Sequence, residues 1–157
     1  MNNALMFSKA SDEWSTPQDF YDGLEFNFSL DVAASANNAK CAHFFTIDDD
    51  ALRLNWLAYI LRNNMKSVVC WMNPPYSRVH EFINKAKSEA ANGCIVVCLV
   101  PARTDTRWWH DCVWNRASHA PYEGVEIRFI KGRLKFGGAS AGAPFPSVVI
   151  VFRPVRG

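Results

Sequence analysis

The stretch "SVVCWMNPPYSR" (residues 67–78) ends an apolar run at an asparagine that is followed by two prolines and a tyrosine. The run from Val68 to Met72 has the length and composition of a buried strand. Proline lacks an N–H and has a fixed φ, so two consecutive prolines end a strand and stiffen the backbone beside it. The main-chain oxygens of Asn73 and Pro74, with the Asn73 side-chain oxygen, then form a small fixed cluster of acceptors.

The segments after this strand predict alternating helices and strands. Residues 78–93 carry apolar residues at spacings of three and four, which is typical of a helix. Residues 94–101 are a continuous apolar run of the kind found in a buried parallel strand. Residues 105–118 predict a second helix, and residues 125–130 and 146–154 predict two strands that suit an antiparallel pair. The alternation predicts an α/β domain with a mostly parallel sheet.

The first part of the chain predicts one helix and one strand and leaves one segment open. "STPQDFYDGL" (15–24) begins with residues that cap helices and has a proline in the first turn. Residues 26–35 alternate apolar and polar side chains as far as Asp31, as a strand does. Residues 52–63 have apolar residues at helical spacing, but they also suit an irregular packed segment.

The size and composition of the chain predict a single domain. It has 157 residues, of which 49% are hydrophobic, and this is enough to bury a core without metals or disulfides. We see no internal repeat and no linker. We therefore expect one domain over residues 1–157, with a loose start over residues 1–12.

Three polar segments directly follow apolar strands: "LDVAAS" (30–35), "WMNPPYSR" (71–78) and "VPARTD" (100–105). Open α/β sheets bind their ligands in a crevice at the carboxyl ends of the strands. The sequence therefore predicts that these three segments meet at one ligand site.

The oxygen cluster at Asn73 and Pro74 suits a planar group that carries an amine. The oxygens accept its two N–H bonds, and the flat ring of Tyr76 offers a face for stacking. The exocyclic amine of adenine fits this description. Toward an activated electrophile such as the methyl group of a sulfonium, orientation and electrostatics suffice without a histidine base or a nucleophilic serine. The alternative is that the motif is only a rigid turn that leaves a strand.

Cysteine usage indicates neither a disulfide framework nor a metal site. The five cysteines are an odd set, and three of them lie in apolar runs. Two short pairs, Cys41 with His43 and His110 with Cys112, offer four zinc ligands, but neither pair has the CxxC-type spacing of a strong zinc motif. We therefore expect no metal.

Hydropathy and charge indicate a cytosolic protein with one basic region. No apolar run approaches the roughly 20 residues needed to span a bilayer, and the first residues do not resemble a secretory signal, so we expect a cytoplasmic protein without membrane contact. The formal net charge is only +2. Acidic residues dominate the first third, whereas Lys and Arg dominate the end, which predicts either a basic face or an ordinary solvated surface.

In its motifs and their order the chain resembles the small phage- and prophage-encoded DNA N6-adenine methyltransferases, the phage-type Dam family. The resemblance extends over almost the whole chain. It rests on "DEWSTPQDFYDGL", "FNFSLDVAAS", "NAKC", "FFTIDDDAL", "NPPYS", "LVPARTDTRWWHD", "IKGRLKFGG" and "PFPSVVIVF". It implies a class I (Rossmann-like) methyltransferase fold with an antiparallel C-terminal strand. It also implies S-adenosyl-L-methionine as cofactor, DNA as partner, and the cytoplasm of a bacterial host as location.

The same resemblance implies roles for individual residues. The catalytic "NPPY" corresponds to Asn73, Pro74, Pro75 and Tyr76, with the first two binding the target amine and the tyrosine stacking on a flipped base. The residues implied to lie along the cofactor are Thr16, Pro17, Asp31, Ala33, Ala34, Asp49 and Asp50. The residues expected to contact DNA are Arg103, Arg133 and Phe136, of which Arg103 is the best phosphate contact and Phe136 also suits a core position.

Two departures from the family pattern leave questions open. No GxGxxG or GxGxG loop follows the first strand, so the cofactor residues are assigned by position. No separate target-recognition domain is present, so selectivity must come from loops such as 101–110 and 132–144 or from a second subunit, and the chain is a monomer or a homodimer. Trp108 and Trp109 suit either core or DNA contacts. Two alternative functions remain: methylation of RNA bases or protein glutamine, and an inactive DNA-binding relic.

Overall fold

The computed structural model describes residues 15–138 and 141–156, and within these ranges six strands form one sheet. Its order is β2-β1-β3-β4-β8-β7, and a separate two-stranded pair joins β5 to β6. The strands are β1 (Leu30–Asp31), β2 (His43–Phe44), β3 (Val69–Met72), β4 (Ile95–Pro101), β5 (Trp114–Asn115), β6 (Ala120–Pro121), β7 (Val125–Phe129) and β8 (Ser147–Phe152). Pairing is parallel from β2 through β4, and β8 runs antiparallel to both β4 and β7. The predicted α/β class with a mostly parallel sheet and an antiparallel C-terminal strand is confirmed.

Three α-helices and several shorter turns connect the described strands. The α-helices are α1 (Gln18–Asp22), α2 (Trp56–Arg62) and α3 (Val79–Asn92). The 3₁₀ turns are Ala51–Arg53, Tyr76–Arg78 and Phe136–Gly138, and a π-helix spans Trp109–Val113. The segment 52–63 is thus helical in its second half, where the Asn55 side chain caps α2 by accepting from the Ala58 N–H at 2.9 Å.

The sheet is buried on both faces, as the apolar runs of β3 and β4 predict. Cys70 and Met72 of β3 point into the core that lies under α3, whereas Val69 and Trp71 point into a second core on the opposite face. All four side chains are buried. Such a strand has no solvent-facing side, which explains its unbroken apolar sequence.

Two predicted elements differ from the structure in their extent. The helix predicted over 105–118 is wrong in its second half: it ends at Val113, and the chain continues as the β5–β6 hairpin. The Asn115 side chain accepts from the Ala117 N–H at 2.9 Å and favours a turn there, and His119 has φ 52°. The strand predicted over 26–35 pairs as a ladder only at Leu30–Asp31, while strand β2 was not predicted from the sequence.

The parallel register brings the ends of β1 and β3 to one edge of the sheet. Asp31, at the end of β1, lies opposite Trp71, and Met72 lies opposite Cys98 of β4. Asn73 directly follows Met72, so it leaves the sheet beside Asp31. This edge is therefore the place where the predicted ligand site has to be sought.

Within 15–138 and 141–156, no helix combines the length and the apolar character that crossing a bilayer requires. The same described part of the chain holds no cluster of three or more His, Cys, Asp or Glu arranged to bind a metal ion. All five cysteines are free thiols.

Candidate active site

A cavity of about 540 Å³ opens at the carboxyl edge of β1 and β3. Seven of the residues predicted from the sequence line it: Thr16, Asp31, Ala33, Ala34, Asp50, Asn73 and Pro75. The other predicted residues lie outside its wall: Pro17, Asp49, Pro74, Tyr76, Arg103, Arg133 and Phe136. Segments far apart in the chain therefore converge on one space of a size typical for small-molecule sites.

The amide of Asn73 is fixed at the rim of this cavity by a contact from the N-terminal segment. Its Nδ2 donates a hydrogen bond of 3.0 Å to Oγ1 of Thr16, a residue that is itself buried. With the nitrogen held by Thr16, the Asn73 side-chain oxygen is directed to the other side of the amide group. The "STP" and "NPPY" segments, which are 57 residues apart at this contact, thus belong to one site.

The two prolines and the tyrosine form a tight turn between β3 and α3. Pro74 is buried, and the Arg78 N–H donates to the Pro75 carbonyl oxygen at 2.9 Å to close the turn. Tyr76 is 5% exposed, and its ring packs edge-on against Phe145 and Phe136 at centroid distances of 5.3 and 6.3 Å. Burial raises the pKa of the Tyr76 hydroxyl above its usual range, and the nearby Arg103 charge opposes this increase. Tyr76 is therefore a neutral phenol at physiological pH.

Asp31 is the buried carboxylate of the cavity, with 2% of its surface exposed. Its Oδ1 accepts from the Ala33 N–H at 3.2 Å, and its Oδ2 accepts from the Lys40 N–H at 2.9 Å. Burial raises the pKa of Asp31 to about 6, although these two N–H groups and the Lys40 charge act in the opposite direction. The carboxylate is thus held rigidly and titrates close to neutrality.

The loop after β1 uses alanines where many cofactor-binding loops use glycines. Ala33 and Ala34 both line the cavity, and the Ala34 N–H donates to the Phe45 carbonyl oxygen at 2.9 Å. Alanine is the smallest residue that carries a Cβ, so the wall stays open at this point. The departure from the glycine pattern therefore does not close the cavity.

The acidic run at 48–50 divides between the cavity and a turn. Asp50 lines the cavity with φ 54° and forms an ion pair of 3.2 Å with Arg53. Asp49 instead accepts from the Thr46 N–H and Oγ1 at 2.8 and 3.2 Å, which holds its carboxylate in the turn. Asp48, which we had not selected from the sequence, lines the cavity.

Many other cavity residues, among them Ile47 and Lys40, were missed by the sequence reasoning. Ile47 lines the cavity although 89% of its surface is exposed. The sequence signal that could have indicated it is an apolar residue directly before an acidic run. Lys40 lines it as well, with its Nζ donating to Oε1 of Gln18 at 2.9 Å. No local pattern marks Lys40, because its position depends on the contact between its backbone and Asp31.

The residues predicted to contact DNA lie beyond the cavity. Arg103 is exposed just past the end of β4, and Arg133 is exposed with its Nη1 3.3 Å from the Ala143 carbonyl oxygen, to which it donates. Phe136 is buried in the core that contains Trp71, so its core position is confirmed while it also contacts Tyr76. Trp108 and Trp109 are buried in the core under α3. The core interpretation is therefore correct for both residues, and the alternative that they contact DNA is wrong.

Comparison with known proteins decides the family. The family model described as "DNA N-6-adenine-methyltransferase (Dam)" matches residues 4–157. The chain belongs to the Dam family. The Rossmann-like methyltransferase fold predicted from the sequence is thereby confirmed as well.

Relatives of this Dam family chain occur in phages and in a bacterium. It is 31% identical to a DNA N-6-adenine-methyltransferase of Escherichia phage T1, over 92% of this chain and 64% of the relative. It is 29% identical to a protein of the same name from Haemophilus phage HP1, over 94% of this chain and 83% of the relative. The putative methyltransferase YfdM of Escherichia coli K12 is 32% identical over 43% of this chain and 75% of the relative. The chain thus spans a little under two thirds of the phage T1 protein, and no solved structure matches it significantly.

Proposed function

We propose that the chain is an S-adenosyl-L-methionine-dependent methyltransferase that methylates N6 of adenine at specific sites in DNA. The observation that carries the proposal is the placement of Asn73: its amide is held by Thr16 at the rim of a cavity that also contains the buried carboxylate of Asp31. An acceptor for an amine and a pocket for a methyl donor therefore adjoin. Membership of the Dam family supports the choice of adenine in DNA.

The cavity suits S-adenosyl-L-methionine in size and in the chemistry of its wall. Its volume of about 540 Å³ lies within the usual range of roughly 300–1,000 Å³ for small-molecule pockets. Asp31 would hold the ammonium group of the methionine part, because its buried oxygens are oriented by two backbone N–H groups. Ile47 would cover the adenine ring, and the carboxylates of Asp48 and Asp50 would accept from the ribose hydroxyls.

The residues at the rim would orient the target amine and stabilise the charge that develops on it. The side-chain oxygen of Asn73 and the main-chain oxygen of Pro74 accept the two N–H bonds of the amine, which directs the nitrogen lone pair toward the cavity. When bound, the cofactor supplies a methyl group on a positively charged sulfur, which is activated without help from the protein. The amine leaves this step with one proton too many, and the same two oxygens hold that proton until water removes it.

A target adenine has to leave the DNA stack to reach these oxygens. Tyr76 would stack on the extruded base, as proposed from the sequence, but its ring is packed against Phe136 and Phe145 in this structure. Base entry therefore requires these two phenylalanines to move aside. Arg103 and Arg133, both exposed, would bind phosphates of the duplex that flanks the extruded nucleotide.

Transfer of a labelled methyl group tests the proposed function directly. The protein is incubated with labelled S-adenosyl-L-methionine and, in separate reactions, with duplex DNA, RNA or a peptide pool containing glutamine. We expect label in DNA as N6-methyladenine and none in the other two acceptors. Label confined to RNA or peptide would reject DNA as the substrate. A failure to bind S-adenosylhomocysteine in calorimetry would reject methylation of DNA, RNA and protein alike.

The titration of Asp31 predicts how cofactor affinity depends on pH. The pKa of this carboxyl is raised to about 6, and binding of an ammonium group requires the ionised form. We therefore expect the affinity for S-adenosylhomocysteine to be constant above about pH 7 and to fall by roughly tenfold for each pH unit below 6. Calorimetric titrations between pH 5 and 8 measure this dependence.

The control for this pH prediction is Asp31→Asn, whose amide does not ionise. This variant should bind S-adenosylhomocysteine weakly and with the same affinity at pH 5 and pH 7.5. If the wild-type affinity is equally flat over that range, the ionised Asp31 carboxylate has no role in holding the cofactor.

A further inference from the structure

Phe129 is a large apolar side chain left in solvent at the edge of the sheet. It is the last residue of β7, the outermost strand next to β8, and 76% of its surface is exposed. Its partner on β8, Val148, is by contrast fully buried. An exposed aromatic ring on an edge strand is typical of a surface that binds another molecule.

The register of the sheet places Phe129 level with the proposed amine-binding turn. Phe129 lies opposite Val148, and Val148 lies opposite Val100 of β4. Met72 pairs with Cys98, two residues before Val100, so Pro74 reaches about the same level. Three strand spacings separate β3 from β7, a distance of about 14 Å. At about 3.4 Å per base step, this corresponds to roughly four base pairs of DNA.

The segment next to Phe129 is positively charged. Lys131, Arg133 and Lys135 follow it within six residues, all three side chains are exposed, and none of them has an acidic partner among the described residues. On the strand itself, by contrast, Glu126 forms ion pairs with Arg128 and Arg153. Uncompensated positive charge therefore collects on the side of Phe129 that continues toward the active-site edge, which is complementary to a phosphate backbone.

We propose that Phe129 packs against duplex DNA about four base pairs from the target adenine, while Lys131, Arg133 and Lys135 bind the adjoining phosphates. This inference rests on the proposed function and adds to it a contact that sets the length of DNA engaged. The aromatic ring supplies stacking or apolar contact with bases and sugars, and the three cations supply the salt-dependent part of the affinity. These contacts thereby hold the duplex that flanks the target.

The test compares Phe129→Ala with Phe129→Tyr, which keeps an aromatic ring, and with Leu61→Ala as a matched control. Leu61 lies on α2 and is 63% exposed, so its removal also deletes an exposed apolar side chain. The probe is a duplex of 30 base pairs taken from a plasmid around an adenine that the wild-type protein methylates. Affinity is measured by fluorescence anisotropy, and S-adenosylhomocysteine binding by calorimetry serves as the check on folding.

We expect Phe129→Ala to bind this duplex about tenfold more weakly, and Phe129→Tyr and Leu61→Ala to bind it as the wild type does. Affinity for S-adenosylhomocysteine should be unchanged in all three. Two shortened duplexes each end two base pairs from the target on one side and keep their full length on the other. On one of them Phe129→Ala and wild type should bind equally, because the contact lies beyond its end.

Two results would overturn the inference. In one, Phe129→Ala binds the long duplex with wild-type affinity although the wild type forms N6-methyladenine; the proposed function then stands and this contact is rejected. In the other, the solution mass falls from dimer to monomer in Phe129→Ala while duplex affinity is kept, which shows that a second copy of the chain covers the ring. An absence of N6-methyladenine with the wild-type protein is a separate outcome, because it rejects the proposed function itself.

Discussion

Asn73→Ala is expected to lower kcat for methyl transfer to DNA by about 10²–10³-fold while leaving cofactor affinity within about twofold of wild type. Removal of one preorganised hydrogen-bonding group that acts on developing charge has effects of this size in other enzymes. The substitution removes both the side-chain oxygen proposed to accept from the target amine and the hydrogen bond to Thr16. The cavity keeps Asp31 and the alanines of the β1 loop, which we propose to hold the cofactor, so binding of S-adenosylhomocysteine should persist.

Single-turnover kinetics with saturating DNA and cofactor measure this loss, and calorimetry with S-adenosylhomocysteine measures the binding. The matched control is Asn92→Ala, which removes an exposed asparagine at the end of α3 and should leave both quantities unchanged. Thr16→Val removes the hydroxyl that accepts from Asn73 Nδ2 and should lower kcat by less than Asn73→Ala does. Thr16→Ser should keep the wild-type kcat, because the serine hydroxyl can accept the same hydrogen bond. Retention of more than a tenth of wild-type kcat in Asn73→Ala would rule out the amine-binding role.

The parts of the fold that could be predicted are those that local sequence determines. The strand that ends at Met72, helix α3 and strand β4 each have a clear hydrophobic pattern, and they occur where we expected them. Their alternation fixes the parallel direction of neighbouring strands, and this direction brings Asp31 and Asn73 to the same edge. The location of the cavity therefore follows from patterns of burial alone.

The details that could not be predicted depend on single backbone angles and on distant contacts. Which of the consecutive acids faces the cavity is decided by the Thr46–Asp49 turn and by the left-handed conformation of Asp50, and sequence pattern does not encode either. Lys40 reaches the cavity through a backbone contact with Asp31, nine residues away. The same holds for the helix that stops at Val113, because the hairpin that follows depends on pairing between β5 and β6.

Some expectations from the sequence stay predictions. A single domain over the whole chain and a monomeric or dimeric state are among them, and residues 1–12 lie outside the described part of the structure. The roles given to Pro17 and Asp49 in cofactor binding also stay predictions, and both residues lie outside the cavity wall. Pro17 instead precedes α1, where its carbonyl oxygen accepts from the Tyr21 N–H at 3.1 Å.

Trp71→Ala is expected to lower the free energy of unfolding by about 3–5 kcal/mol, which is a large share of the roughly 5–15 kcal/mol typical of a domain. Trp71 is 1% exposed, and its ring packs edge-on against Tyr21 and Phe28 at centroid distances of 5.2 and 5.6 Å. Its removal leaves a cavity between β3 and the segment around α1, a space that nearby side chains cannot refill without moving.

Urea unfolding followed by circular dichroism measures this loss, because the signal does not depend on the deleted indole. Trp114→Ala is the matched control: Trp114 is only half-buried in the β5–β6 hairpin, so a loss below about 2 kcal/mol is expected. Equal losses in the two variants would contradict the central place of Trp71 in the second core.

A second substitution at Trp71 tests how the core supports the site. Trp71 lines the cavity and lies two residues before Asn73, and its carbonyl oxygen accepts from the Val32 N–H at 3.0 Å, next to Asp31. A change in packing at Trp71 therefore displaces both ligand-binding segments together. We expect Trp71→Phe, which keeps an aromatic ring and enough stability to fold, to weaken S-adenosylhomocysteine binding and kcat in parallel, whereas Asn73→Ala lowers kcat alone. If Trp71→Phe lowers only stability, the ends of β1 and β3 are positioned by the sheet hydrogen bonds and not by this ring.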